Sequence, residues 1–304
     1  MFAVVGTVPI QDFPLVTGEV FLEDDSICIE EKRVPVNRGT PALMAAAIKV
    51  CEVLDQGAPF GYLVGDIGLG DGSRRLYEYL TKDLRQSDFR SKPGTGFQVI
   101  TFHYLQPDVD WHNRVLFAIE EMTRRPILIA DAGFMYAVKM SGKAKEYDLF
   151  TPDIGELAFL ADEEAPHPFY TRGFILHEED RIPELIVRAY KYNNAARCLL
   201  VKGKQDCVAD RQGIQATIDS PVEEAMEAIG GTGDTLTGII TALVGSGMEV
   251  MKAATIAARV NRLAGYYAKP TPATQVIEII QHIPKALAKV LSENEKGEVW
   301  IKQF

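Results

Sequence analysis

The residues most able to do chemistry lie in one stretch, Gly230-Gly231-Thr232-Gly233-Asp234-Thr235-Leu236-Thr237-Gly238. Glycines let a backbone turn sharply and approach a ligand closely. The apolar run over 236–244 has the character of a helix, whose first N–H groups have no carbonyl partners and point back at whatever precedes them. Such an end carries partial positive charge and holds phosphate. Asp234 stands at the same end, so the stretch offers an anion cradle and a carboxylate together. Taken alone, it is equally a plain helix start with Asp234 as the cap.

The other candidates follow short apolar runs. Asp131 comes directly after Ile127-Leu128-Ile129-Ala130, and Lys202-Gly203 directly after Cys198-Leu199-Leu200-Val201. A lysine in that place suits a phosphate as a mobile point charge, whereas Asp131 is open to a reading as a turn acid. Thr151-Pro152-Asp153-Ile154-Gly155-Glu156 marks another strand end and helix start. Glu156 there either complements the helix dipole or holds a metal-bound water beside phosphates. Asp66 and Asp71 lie in the glycine-rich turn over 65–73, a place where α/β proteins bind ligands. That turn matches GxGxxG poorly, so no dinucleotide fingerprint is expected, and a tight connection with solvated acids is the alternative. His167 and His177 read as surface residues. The five histidines contain no HExxH pair, and Cys28, Cys51, Cys198 and Cys207 show no CxxC spacing. A zinc hydrolase or a metal framework is therefore not expected.

Positioning these residues requires strands and helices in alternation. The pattern predicts a strand over 2–8 and a hairpin with arms at 18–22 and 27–36. A helix follows from Thr40-Pro41, with the Thr40 hydroxyl as cap and proline at the first helical position. Further strands are expected over 61–66, 97–104, 127–130, 147–150 and 198–201. Helices are expected over 74–84 (capped by Ser73), 111–122 and 182–195. A second hairpin turns at 210–213, and helices follow from Asp234, over 249–268 and over 276–291. Continuous apolar strands alternating with helices imply a parallel sheet covered on both faces, with ligands beyond the carboxyl ends of its strands. No linker or repeat divides the chain, so a single domain over 1–304 is expected. It carries an N-terminal β segment over 1–36 and a charged tail over 292–304, the tail being an edge strand or a subunit contact.

The 304 residues are 47% hydrophobic, enough for a sizeable core. Lys and Arg number 32 against 42 Asp and Glu, a net charge of -10, which argues against nucleic acid as the main partner. No apolar run approaches the ~20 residues of a membrane span. No Lys or Arg precedes the first apolar residues, so no secretory leader is expected. The cysteines read as reduced thiols of a cytoplasmic protein.

The order of these features, Asp131, TPDIGE, LLVKG, a hairpin and GGTGDTLTG, resembles the ribokinase-like superfamily. Within it, the likeness is to the nucleotide-dependent NAD(P)H-hydrate dehydratases, which carry a TPHxGE-like segment, KG after a strand and GGTGDVLaGi. The counterparts here are residues 151–156, Lys202-Gly203 and 230–239, and Asn261-Arg262-Leu263-Ala264-Gly265 resembles that family's HGLAGD. The resemblance implies a three-layer α/β/α fold with a mostly parallel central sheet. It also implies ATP or ADP with Mg²⁺ as cofactors, a small-molecule substrate and a homo-oligomer. By the same likeness, Asp234 would be the catalytic base, and Lys202, Gly203, Gly231, Thr232, Gly233 and Asn261 would bind nucleotide. Glu156 would place the metal through water, and Asp131, Asp153 and Asp66 would face the substrate. The chain departs from the pattern at Asp153 and Asn261, where the family has His, at Asp131-Ala132-Gly133, where it has DAD, and over 223–228, where a GN is absent. These departures fall on the substrate side. Three readings follow: a dehydratase that repairs hydrated NADH or NADPH, an ATP-dependent kinase of a small alcohol, and a nucleotide-binding protein without catalysis.

Overall fold

The computed structural model describes residues 1–90, 96–164 and 181–295. Its sheet is built outward from β1 (Phe2–Val8), which is buried along its whole length. Successive side chains of a strand point to opposite faces, and here they feed two cores. Phe2, Val4 and Val8 enter one, and Ala3 and Val5 enter the other. β1 runs parallel to β5 (Phe60–Gly65) on one side and to β6 (Val99–His103) on the other. Beyond β6 the parallel set continues through β7 (Ile127–Ala130), β8 (Leu149–Phe150) and β9 (Cys198–Val201). Antiparallel strands extend both edges. β2 (Val16–Glu23), β3 (Ser26–Ile29) and β4 (Lys32–Pro35) extend the β5 edge, and β10 (Asp206–Asp210) and β11 (Gly213–Ile218) extend the β9 edge. The order is β11-β10-β9-β8-β7-β6-β1-β5-β2-β3-β4. The fold is therefore α/β with a large, mostly parallel central sheet.

One face is covered by α1 (Thr40–Val53), α7 (Thr232–Gly245), α8 (Val250–Ala268), α9 (Val276–Ile280) and α10 (Ile283–Glu295). The other face carries α2 (Asp71–Arg90), α3 (Val109–Glu120), α4 (Gly133–Met140), α5 (Ile154–Ala161) and α6 (Ile182–Lys191). Phe102 on β6 stacks on Phe134 of α4, with ring centroids 4.2 Å apart and planes 7° from parallel. α1 and α7 lie against each other at unusually close range, because a Cβ at Gly238 would collide with the Leu43 carbonyl oxygen. Gly238→Ala should therefore destabilise the protein by about 1–3 kcal/mol through overpacking. A lower urea midpoint at unchanged slope would register that loss; an unchanged midpoint would show that the two helices have room to part.

The structure departs from the sequence expectations in five places. The arm over 27–36 is two strands, β3 and β4, because the chain reverses at Glu30, whose φ is 51°. The helix over 276–291 is two helices, since Pro284 has no N–H to give to the Ile280 carbonyl. α1 is capped by Gly39, at φ 69°, and not by Thr40. α2 starts at Asp71, so Ser73 lies inside it. α4 was not anticipated. His167, His177 and most of the tail lie outside the described residues. The four cysteines are free and buried. Among the described residues, no helix is long and apolar enough to cross a membrane.

Candidate active site

The site forms where β6, β7, β9 and the starts of α1 and α7 converge. α7 is entered through Gly231, whose φ of 103° suits glycine, and no side chain caps the helix. Thr232, Gly233 and Asp234 form its first turn, where backbone N–H groups have no carbonyl partner within the helix. Asp234 is therefore not the cap. Its carboxylate leaves its own helix and is held across the site. Oδ2 accepts from the Gly39 N–H at 2.6 Å, and Oδ1 lies 3.0 Å from His103 Nε2.

His103 ends β6 and is fully buried. Its Nδ1 is 3.0 Å from the Thr40 hydroxyl. With the proton on Nε2, a tautomer assigned from these partners, the ring donates to Asp234 and accepts from Thr40. Gly6 on β1 makes the room, because a Cβ there would press on the Thr40 side chain and the His103 carbonyl. Burial by itself would raise the Asp234 carboxyl. The His103 hydrogen bond, the neighbouring Lys202 ammonium and the Gly39 N–H outweigh it and hold the group below the ordinary aspartate value.

Asp131 follows β7 and is 1% exposed. Lys202 Nζ reaches its two oxygens at 2.8 and 3.1 Å, and Thr237 Oγ1 donates to it at 2.6 Å. Lys202 also lies alongside the cradle, since a Cβ on Gly233 would stand 3.7 Å from its Nζ. Burial would depress this ammonium, but the charges of Asp131, Glu156 and Asp234 overcome that and lift it above the ordinary lysine value. The result is a cation fixed between a buried carboxylate and the first turn of α7.

Asp153 and Glu156 form a reciprocal capping box on α5, with each side chain accepting from the other's backbone N–H at 2.8 Å. Crowding by protein and the charges of Asp153 and Asp131 push the Glu156 carboxyl well up, against the pull of Lys202. Only Oε2 is used in the box. Oε1 lies outside the box, and an oxygen donor near Asp131 and Asp153 is of the kind that holds Mg²⁺ through water beside phosphates, so these residues suit the metal that the resemblance implies.

α8 braces the cradle from behind. Asn261 Nδ2 donates to the Thr232 carbonyl at 3.1 Å, and its Oδ1 accepts from Thr235 Oγ1 at 2.7 Å. Arg262 donates to the Gly203 and Lys204 carbonyls and to Asp206, whose other oxygen accepts from the Gly203 N–H. Both ends of the Asn261 amide are thus engaged in holding α7. Asp66 is held by its own loop, accepting from the Gly68, Gly70 and Ser73 N–H groups and the Ser73 hydroxyl. It shapes the turn after β5 and is not brought into the Asp234 cluster by any of these contacts. A cavity of about 480 Å³ lined by Lys145, Tyr190, Arg197 and Arg211 lies at the amino end of β9, away from these groups.

Of the residues singled out in the sequence, Asp131, Lys202, Gly233 and Asp234 come together, with Glu156 close enough to act on them electrostatically. His103 and the Gly39 N–H were missed. A signal existed for His103, because it ends the apolar strand beside the one that leads into Asp131.

The fold is ribokinase-like. A ribokinase-like superfamily protein from Enterococcus faecalis superposes with a TM-score of 0.56, covering 95% of this chain and 87% of that one at 17% identity, and so shares the fold. Residues 106–285 match the family model described as NAD(P)H-hydrate dehydratase. The chain belongs to that family. An uncharacterized protein of Methanocaldococcus jannaschii is 38% identical over 250 residues, 82% of this chain and 100% of that one. The bifunctional NAD(P)H-hydrate repair enzyme Nnr of Pyrobaculum aerophilum is 26% identical over 183 residues, 58% of this chain and 33% of that one.

Proposed function

We propose that the enzyme is a nucleotide-dependent dehydratase that restores hydrated NADH or NADPH. The observation that carries the phosphate-transfer part of this reading is the Asp234 carboxylate, ionised and fixed by Gly39 and His103 on the first turn of a helix whose N–H groups would form an anion cradle; the family match over residues 106–285 supports the hydrate as its substrate. The terminal phosphate of ATP or ADP would lie on the N–H groups of Thr232, Gly233 and Asp234, which stabilise charge that grows during transfer. Lys202 would approach the same phosphate. Mg²⁺, when bound near Glu156, would neutralise part of the phosphate charge.

Asp234 would take the proton of the substrate hydroxyl as that oxygen attacks phosphorus and the shortened nucleotide leaves. A carboxyl held low is a weak base, so most of its effect would come from position. Breakage of the carbon–oxygen bond then releases phosphate, and loss of a proton from the neighbouring ring carbon restores the reduced nicotinamide. A kinase would stop at the phosphoester with the same corner. The intact Asp234 and Lys202 speak against a purely binding role.

Incubation with NADH hydrate and ATP or ADP tests the reading. Nucleotide-dependent recovery of reduced-nicotinamide absorbance is expected. ATP consumption with a small alcohol and no such recovery would assign a kinase instead.

A further inference from the structure

Resting on that reading, we infer that Arg38 is a further catalytic residue, its guanidinium holding the terminal phosphate of the nucleotide and stabilising the charge that spreads over its oxygens during transfer. Arg38 stands between β4 and α1, one residue before the Gly39 N–H that holds Asp234 Oδ2 at 2.6 Å. It packs on the glycines that lead into α7. A Cβ on Gly231 would stand 3.1 Å from the Arg38 Cα, and one on Gly230 would stand 3.7 Å from its Cδ. The stem therefore lies along the turn into the cradle, and glycine at both positions lets it lie so close. Arg38 is exposed, and among the described residues no carboxylate pairs with it and no side chain or carbonyl accepts from it.

The surroundings favour an anion at this place and leave it short of free positive charge. The Gly39–Asp234 bond ties the start of α1 to the start of α7, and no side chain caps either helix. Both ends carry partial positive charge. Against them stand the Asp131 and Asp234 carboxylates, which repel an arriving phosphate. Lys202 is the ammonium at hand, but it is committed to both oxygens of Asp131 at 2.8 and 3.1 Å. Arg38 is a cation beside the cradle that no protein acid engages. A guanidinium also fits the task better than an ammonium, because its planar fork gives two N–H groups to two phosphate oxygens and stays charged throughout. In the transfer step the acceptor oxygen bonds phosphorus as the bridging oxygen leaves with the shortened nucleotide. The acceptor proton passes to Asp234, and Arg38 neither gains nor loses one. Its work is to neutralise charge on the oxygens that do not break away.

The test uses the full-length protein with Mg²⁺. It measures turnover of NADH hydrate, and of pyridoxine, with ATP or ADP. It also measures affinity for ADP and for AMP with and without aluminium fluoride, which mimics the phosphoryl group in flight. In wild type, aluminium fluoride should tighten one of the two nucleotides by about a hundred-fold or more. Arg38→Ala and Arg38→Met should each lose most of that gain and about 10²-fold or more in turnover, the range for one oxyanion donor. Affinity for the nucleotide alone should change little, and so should the melting temperature, since the side chain is exposed. Arg38→Lys should keep part of the turnover, and added guanidinium at non-denaturing concentration should restore part of it to Arg38→Ala. A stem that merely covers the two glycines gives a different result, because methionine covers them as well. The inference is overturned if Arg38→Met keeps wild-type turnover, or if aluminium fluoride tightens wild type and Arg38→Ala equally. Turnover of pyridoxine but not NADH hydrate, still dependent on Arg38, would remove the dehydratase reading and leave Arg38 its role. Recovery of NADH at equal rates in wild type and Arg38→Ala would do the reverse. No turnover and no aluminium fluoride effect in wild type would remove both.

Discussion

Asp234→Asn should lower turnover by about 10³-fold, within the range for loss of a positioned general base, while nucleotide affinity changes little. The reason lies in how the carboxylate is held. Oδ1 and Oδ2 are fixed from opposite sides by His103 and Gly39, so the group cannot swing away to cap its own helix. An amide of the same shape keeps the Gly39 contact, and the other imidazole tautomer can accept from its NH₂. The variant therefore folds and retains the cradle. Single-turnover kinetics and nucleotide titration separate the two effects. A variant that loses affinity and rate in parallel would place Asp234 in binding alone.

The same carboxyl predicts the pH dependence. Its folded value is depressed, so it remains ionised and the rate should not fall on its account between about pH 8 and pH 5, ordinary aspartate titrating near 3.9. Its contribution to stability is complete above the unfolded value and is lost as pH falls through the folded one. The asparagine variant should lack that share of acid sensitivity.

Lys202→Met should abolish activity and also cost about 3–5 kcal/mol of stability, because it strands the buried Asp131 carboxylate. The pair is tight, at 2.8 Å, and Asp131 keeps only neutral donors, Thr237 Oγ1 and the Ala132 N–H, once the ammonium is gone. Combining Lys202→Met with Asp131→Asn removes the unpaired charge. Most of the lost stability should return, with a coupling energy above about 1 kcal/mol, and activity should stay absent. Additive losses in denaturant melts would mean that the two side chains do not depend on each other.

Much of the proposed phosphate half of this site is legible in the sequence because it depends on local features. Glycines before an apolar run, a lysine directly after a buried strand and an acid after another each carry meaning within a few residues. Strand alternation identified the parallel sheet for the same reason. The acceptor half depends on contacts distant in sequence. His103 meets Asp234 across 131 positions and Gly39 meets it across 195, and no local pattern links either of them to Asp234. Asp66 is open in the sequence to two readings, a substrate loop and a tight connection, and its oxygens are held by that loop's own N–H groups. Thr40 followed by Pro41 has the pattern of a helix cap, but the bend at Gly39 frees the Thr40 hydroxyl for His103. Pro284 marks the break between α9 and α10, across which the apolar periodicity alone runs on.

The proposed work of Asp234 and the α7 cradle is transfer of phosphate to the hydroxyl that is later lost. It is tested most directly by preparing NADH hydrate with oxygen-18 in its hydroxyl and examining the phosphate released with ATP. The heavy oxygen should leave in phosphate, because the carbon–oxygen bond breaks after the phosphorus–oxygen bond forms. Recovery of NADH with unlabelled phosphate and the label in water would contradict it.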